Sequence, residues 1–185
     1  MNLSDPFNQP DPFFNIILVG LPGVGKTSVG RAAARLLNRP FIDFDTEIEH
    51  REHASVGEIF DRKGEAWFRS LESALTRELA ASRGTVMATG GGWVTNPDSM
   101  ALLHSTGRMI YLRATPQAAL ARMAVSRARR PLLEVPDPLG GITALYEARR
   151  ALYETADLVL DTEVIEKSEV IEQVRQYALS LSKED

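Results

Sequence analysis

Five short apolar runs punctuate the chain: Ile16–Val19, Phe41–Ile42, Thr85–Ala88, Met109–Leu112 and Leu158–Leu160. Their brevity and β-branched content predict buried strands rather than helices. Between most of them lie longer stretches with helical spacing. Val29, Ala32, Ala33, Leu36 and Leu37 follow the i, i+3, i+4, i+7, i+8 pattern that gathers apolar side chains on one helix face. Trp67, Leu71, Ala74, Leu75 and Leu79 predict a second such face, and Val170, Ile171, Val174, Ala178 and Leu181 a last one. Ser55 and Glu58 have capping-box spacing, and Thr115-Pro116 reads as an N-cap followed by proline at the first helical position. Strands alternating with helices predict an α/β domain, a parallel sheet covered on both faces. Residues 1–14, with two Asp-Pro pairs, read as a polar N-terminal extension ahead of one domain over residues 15–185.

Composition narrows the classes of function. The chain has no cysteine, which excludes disulfides, thiolate metal ligands and a thiol nucleophile. Its net charge of −4 argues against a general nucleic-acid surface. No apolar run approaches the roughly 18 residues that span a bilayer. The first residues lack the basic start and apolar stretch of a signal peptide. The expectation is a cytoplasmic protein with neither membrane nor nucleic acid as partner. His50 and His53 are i, i+3, without a third residue at ligand spacing.

Chemistry enters with Gly20-Leu21-Pro22-Gly23-Val24-Gly25-Lys26-Thr27-Ser28, which matches G-x-x-x-x-G-K-[ST] without a mismatch. An apolar strand precedes it and an amphipathic helix follows, the context in which the motif works. Gly23, Val24, Gly25 and Ser28 would turn backbone N–H groups toward phosphate oxygens, aided by the helix N-terminus. Lys26 would reach the β- and γ-phosphates, and the Thr27 hydroxyl would ligate Mg²⁺. A nucleoside triphosphate is the expected ligand; the motif does not identify the acceptor.

Asp43 and Asp45 stand two apart at the end of the second strand. If the extended geometry persists, both carboxylates point the same way, one toward a hydrated Mg²⁺ and the other toward an acceptor hydroxyl. Equally, one of them could cap a helix over residues 46–50. Thr89-Gly90-Gly91-Gly92 removes every side chain from three positions, so a ligand can approach the backbone. Trp93, directly behind, reads as a core anchor rather than a pocket wall. Arg69, Arg130 and Arg149 offer planar forks for carboxylate or phosphate. Arg122 and Arg127 read as a solvated helix face.

Together these segments resemble the shikimate kinases, within the nucleoside monophosphate kinase-like P-loop group. The resemblance runs from about residue 15 to residue 161 and keeps the family's order: the phosphate loop, Asp43-Phe44-Asp45, Phe68-Arg69-Ser70-Leu71-Glu72, Thr89–Gly92, Arg130-Pro131-Leu132-Leu133 and Arg149-Arg150-Ala151-Leu152-Tyr153. In the last motif Ala151 replaces the usual proline. The resemblance implies a three-layer α/β/α fold with a five-stranded parallel sheet, an acceptor-binding region over about residues 43–80 and a mobile lid over about 122–138. It implies ATP-dependent phosphorylation of the shikimate 3-hydroxyl in aromatic amino acid biosynthesis. It further implies that Asp45 binds the shikimate hydroxyls as candidate base, and that Arg69 and Arg149 hold the carboxylate. Gly91 and Gly92 would contact the ring substituents through their backbone. Arg130 would swing in with the lid toward the transferring phosphate, and Asp43 would reach Mg²⁺ through water. A monomer is expected for so small a kinase. The family's adenine-packing basic residue has no counterpart within residues 161–166, and Trp93 replaces a small residue.

Two other readings use the same residues. A related small-metabolite kinase, such as one for gluconate, predicts loss of the Arg69/Arg149 pair, yet both are present. A catalytically idle regulatory ligand-binding domain predicts loss of the acceptor base, yet Asp45 is present.

Overall fold

In the computed structural model, which describes residues 14–124 and 136–181, every residue of β1 (Asn15–Val19) is buried. That run has no polar face to turn to water, as a central parallel strand requires. In chain order there follow α1 (Lys26–Leu37), β2 (Phe41–Asp43), α2 (Phe44–Glu52), α3 (Val56–Leu79), β3 (Val86–Ala88), a short 3-10 turn (Trp93–Thr95), α4 (Pro97–His104), β4 (Gly107–Arg113), α5 (Pro116–Ala124), α6 (Pro138–Tyr153), β5 (Leu158–Asp161) and α7 (Lys167–Ser180). All pairings are parallel, in the order β2-β3-β1-β4-β5. The expected five-stranded parallel α/β sheet is therefore present, with α1 packed on α7 and the α3–α4 and α5–α6 pairs as further packed groups. No described helix is long and apolar enough to cross a membrane.

Local signals account for most boundaries. Ser55 and Glu58 form the complete capping box at the start of α3, and Thr115 Oγ1 accepts the Ala118 N–H at the start of α5. Asn38 ends α1 in the left-handed conformation that its short polar side chain tolerates.

Two predicted helix faces hold in part: Val29, Ala33 and Leu75 are buried and Leu37, Leu71 and Leu79 pack against the core, while Leu36 and Trp67 do not. Leu36 is 59% exposed, and α1 buries Val29, Gly30, Ala33 and Ala34. Trp67 is 44% exposed, with the Lys63 ammonium 4.8 Å from its ring centroid, while Phe68, Glu72, Leu75 and Thr76 take the buried face of α3. A backbone break at Gly64 (φ 81°) divides α3 in two, ahead of this face. The buried line also includes Glu72 and Thr76, and a pattern of apolar residues alone cannot see polar ones. The last helix buries Val170, Val174 and Ala178 as expected.

Candidate active site

Strands β1, β2 and β3 all run toward one edge of the sheet, and in parallel α/β folds that edge is where ligands bind. The loop from β1 into α1 turns there. Gly23 has φ 85°, and a Cβ on it would sit 2.5 Å from the Ala119 carbonyl. Gly25 caps α1 at φ 102°. Both positions require glycine, and the sharp turn aims the start of α1 at the loop's concave side. Lys26 is buried, with its ammonium donating to the carbonyls of Gly20 (2.7 Å) and Leu21 (2.9 Å). Its charge thus lies inside the loop rather than in solvent.

The two aspartates of the next motif do not share a direction. The strand ends at Asp43, which caps α2 by accepting the Thr46 N–H, so Asp45 falls in the first helical turn. Two residues on a helix are about 200° apart, whereas on a strand they align. This corrects the extended-strand expectation and separates the carboxylates. Asp43 accepts from the Thr27 hydroxyl at 2.6 Å, beside the phosphate loop. Asp45 turns instead toward the triple glycine, its Oδ1 3.0 Å from the position of a Cβ on Gly90.

Around that glycine turn the remaining groups collect. A Cβ on Gly90 would meet Glu72 Oε1 at 2.5 Å, one on Gly91 would meet Pro22 of the phosphate loop at 2.9 Å, and one on Gly92 would collide with the Arg69 guanidinium. Backbone, carboxylates and guanidinium therefore lie in direct contact, which side chains at these positions would prevent. Thr89 bonds the Leu18 carbonyl through both its N–H and its hydroxyl, fixing the turn to β1. Trp93 is buried as a core anchor: its indole N–H donates to Thr76 at 2.9 Å, and its ring meets Phe44 edge-on. The side chain points away from the turn and joins it to α2 and α3.

Arg69 is held by Glu72 at 2.6 Å and Glu65 at 2.8 Å. Glu72, only 2% exposed, belongs to a motif read from the sequence but was given no role there. The signal for it was its place three residues after Arg69, on the same helical face. Burial raises its carboxyl to about 6, against the opposing pull of the Arg69 charge and, more weakly, of Arg149. Because this acid is raised in the folded state, the fold binds more protons than the unfolded chain between pH ~4.5 and ~6. Stability from this group is therefore lost as pH rises through that window, by about 2 kcal/mol. Urea midpoints of wild type and Glu72→Gln across pH 4–7 should show that difference between the two proteins; parallel profiles would refute it.

A second cavity wall forms at the phosphate loop's outer side. A space of about 450 Å³ is lined by Gly23, Val24, Gly25 and Ser28 and by Arg122, Thr162 and Val164. Arg122 does not lie on a solvated face: it donates to the Thr162 hydroxyl at 2.7 Å and carbonyl at 2.6 Å. Pairing of β4 with β5 brings α5 next to the segment after β5, a contact across 40 residues that sequence spacing does not reveal. Arg122 and Lys167 supply at this cavity the positive charge missing from residues 161–166.

The structure thus brings together Gly23, Val24, Gly25, Lys26, Thr27, Ser28 and Asp43 at one end, and Asp45, Arg69, Gly91 and Gly92 at the other. Arg149, on α6, acts electrostatically on both Glu72 and Tyr153, which places it with the second group. Arg130, Arg127 and most of the expected lid lie outside the described residues.

Comparison with known proteins agrees with this geometry. The sequence model of shikimate kinase matches residues 22–178. A shikimate kinase of Burkholderia pseudomallei is 48% identical over 153 residues, 82% of this chain and 83% of that protein. A solved shikimate kinase from Acinetobacter baumannii, in complex with shikimate, superposes with a TM-score of 0.84 at 36% identity, covering 94% of this chain and 96% of that one. The shikimate kinase from Bacteroides thetaiotaomicron gives 0.81 at 35%, covering 91% and 98%. A match over most of the chain, at nearly half the residues and with the same fold, means that this chain belongs to the shikimate kinase family.

Proposed function

We propose that the chain transfers the γ-phosphoryl group of ATP to the 3-hydroxyl of shikimate, as a cytoplasmic monomer, with the residues gathered at the sheet edge in the roles their family motifs suggest. The observation that carries the reading is the convergence at one glycine turn of two different recognition chemistries. Arg69, with Arg149 nearby, suits a planar carboxylate, while Asp45 suits a hydroxyl. Pro22 of the phosphate loop lies 2.9 Å from where a Cβ on Gly91 would sit, which supports an acceptor site next to that loop, the proximity that in-line transfer requires.

Thr27 and Asp43 fit a hydrated Mg²⁺: two hard oxygen donors lie 2.6 Å apart beside the phosphate loop. An ion of this kind is held by phosphate oxygens, water and one or two protein groups. Bound there, the ion would neutralise charge developing on the phosphates. The chain's own groups do the positioning. Lys26 and the loop N–H groups hold the donor, the arginines orient the acceptor, and Asp45 orients the attacking hydroxyl and takes its proton. Arg122 and the cavity beside it would receive the nucleoside end of ATP.

ADP release coupled to a reporter, with shikimate, gluconate and nucleoside monophosphates offered in turn, tests the proposal directly. Turnover with shikimate alone is expected; turnover with another acceptor, or with none, would overturn it. Within that assay, Arg149→Ala should raise the KM for shikimate by the equivalent of about 2–5 kcal/mol and leave the KM for ATP unchanged. It is a cleaner probe than Arg69→Ala, because Arg69 also partners the buried Glu72. Equal losses for both substrates would assign Arg149 to the nucleotide or to the fold.

A further inference from the structure

One contact at the glycine turn has no part in the roles above. The Tyr153 hydroxyl, at the end of α6, donates to the Gly91 carbonyl at 2.5 Å across 62 residues. We propose that Tyr153 is a positioning residue for the acceptor: its bond fixes the Gly91–Gly92 peptide plane so that the Gly92 N–H faces the bound substrate. The inference rests on the reading of Gly91 and Gly92 as acceptor-binding.

Three consecutive glycines have the widest backbone freedom of any tripeptide, so their usefulness as a binding surface depends on an external restraint. The turn's own bonds, from the N–H groups of Trp93 and Thr95, go to the carbonyls of Gly90 and Gly92 and leave the Gly91 carbonyl to Tyr153. Neither the Gly91 nor the Gly92 N–H donates to a described backbone carbonyl. In a trans peptide the C=O and the following N–H point in opposite directions. Holding the Gly91 oxygen toward α6 therefore directs the Gly92 N–H away from it.

The ring supplies a rigid base for this bond. Tyr153 is fully buried and stacks on Tyr111 of β4, centroids 5.2 Å apart at 21°. The Tyr111 hydroxyl is buried too, yet it has no hydrogen-bond partner among the described residues, so the stack itself does not depend on a satisfied hydroxyl. Arg149 lies one turn earlier on α6, on the same face. The bond thus also sets the spacing between the Arg149 guanidinium and the glycine backbone, the two sides of the proposed site. Burial pushes the Tyr153 hydroxyl up to about 12, so it remains a donor throughout the neutral range.

Steady-state ADP release by wild type, Tyr153→Phe and Tyr111→Phe, with shikimate and ATP varied separately, tests this. Tyr153→Phe keeps the ring and removes one oxygen. It should raise the KM for shikimate about fivefold or more, with kcat within about twofold and the KM for ATP unchanged. Tyr111→Phe should match wild type in all three. An unaffected shikimate KM in Tyr153→Phe beside an active wild type overturns this inference alone. Equal rises in both KM values, or loss of folding in Tyr153→Phe but not Tyr111→Phe, would make the hydroxyl a structural group and overturn it as well. Wild type inert toward shikimate would overturn it together with the acceptor assignment.

Discussion

Replacing Lys26 with alanine is expected to leave a folded protein whose phosphoryl transfer falls by about 10³-fold or more. The side chain is buried, but the groups that surround its ammonium are the loop carbonyls of Gly20 and Leu21, not the apolar core. Its removal costs the fold the charge-assisted hydrogen bonds to these carbonyls, of which each contributes about 1.5–3 kcal/mol at most. Its removal costs the reaction a positive charge held where negative charge must be placed and moved. A low-dielectric loop makes that charge far more effective than one in water. Circular dichroism and thermal melting should report a native, somewhat less stable chain, and the ADP assay a near-complete loss. A folded variant with near-normal turnover would remove this loop from the mechanism.

Asp45→Asn should lower turnover by about 10²-fold or more while ATP affinity barely changes. The position of Asp45 in the first turn of α2, directed at the glycine turn, puts its carboxylate beside the proposed acceptor site rather than with Thr27 and Asp43. Asparagine preserves shape and can still accept a hydrogen bond, but it is a much weaker base. Separate measurements of kcat and of nucleotide binding distinguish the outcomes. Turnover equal to wild type would keep the kinase and dismiss Asp45 as its base, leaving the step to positioning alone. A parallel loss of ATP affinity would move Asp45 to the donor side.

Much of this site is written in local chemistry. Gly20–Ser28 must bind phosphate wherever a strand precedes it and a helix follows, because backbone N–H groups and a lysine act within one turn. Ser55 with Glu58, and Thr115 with Pro116, set helix starts through bonds spanning three residues. The buried β1 run specifies an interior strand of a parallel sheet by having no polar face. Asp43 shows where such reading reaches its edge: strand and helix-cap geometries were both compatible with the residues, and they send Asp45 in opposite directions. The cap to Thr46 settled it.

What the chain order alone determined is the class of fold, the phosphate loop and the set of charged groups available to an acceptor. Tertiary structure decided which of them meet. Glu72, paired with Arg69 on one helix face, became buried because that face packs against the glycine turn. Arg122 left its expected solvent face because β4–β5 pairing brings Thr162 to it, and Tyr153 reached the Gly91 carbonyl across 62 residues. A hydrogen bond acts over about 3 Å, so a long-range partner is defined only once the sheet has fixed which distant segments share that distance.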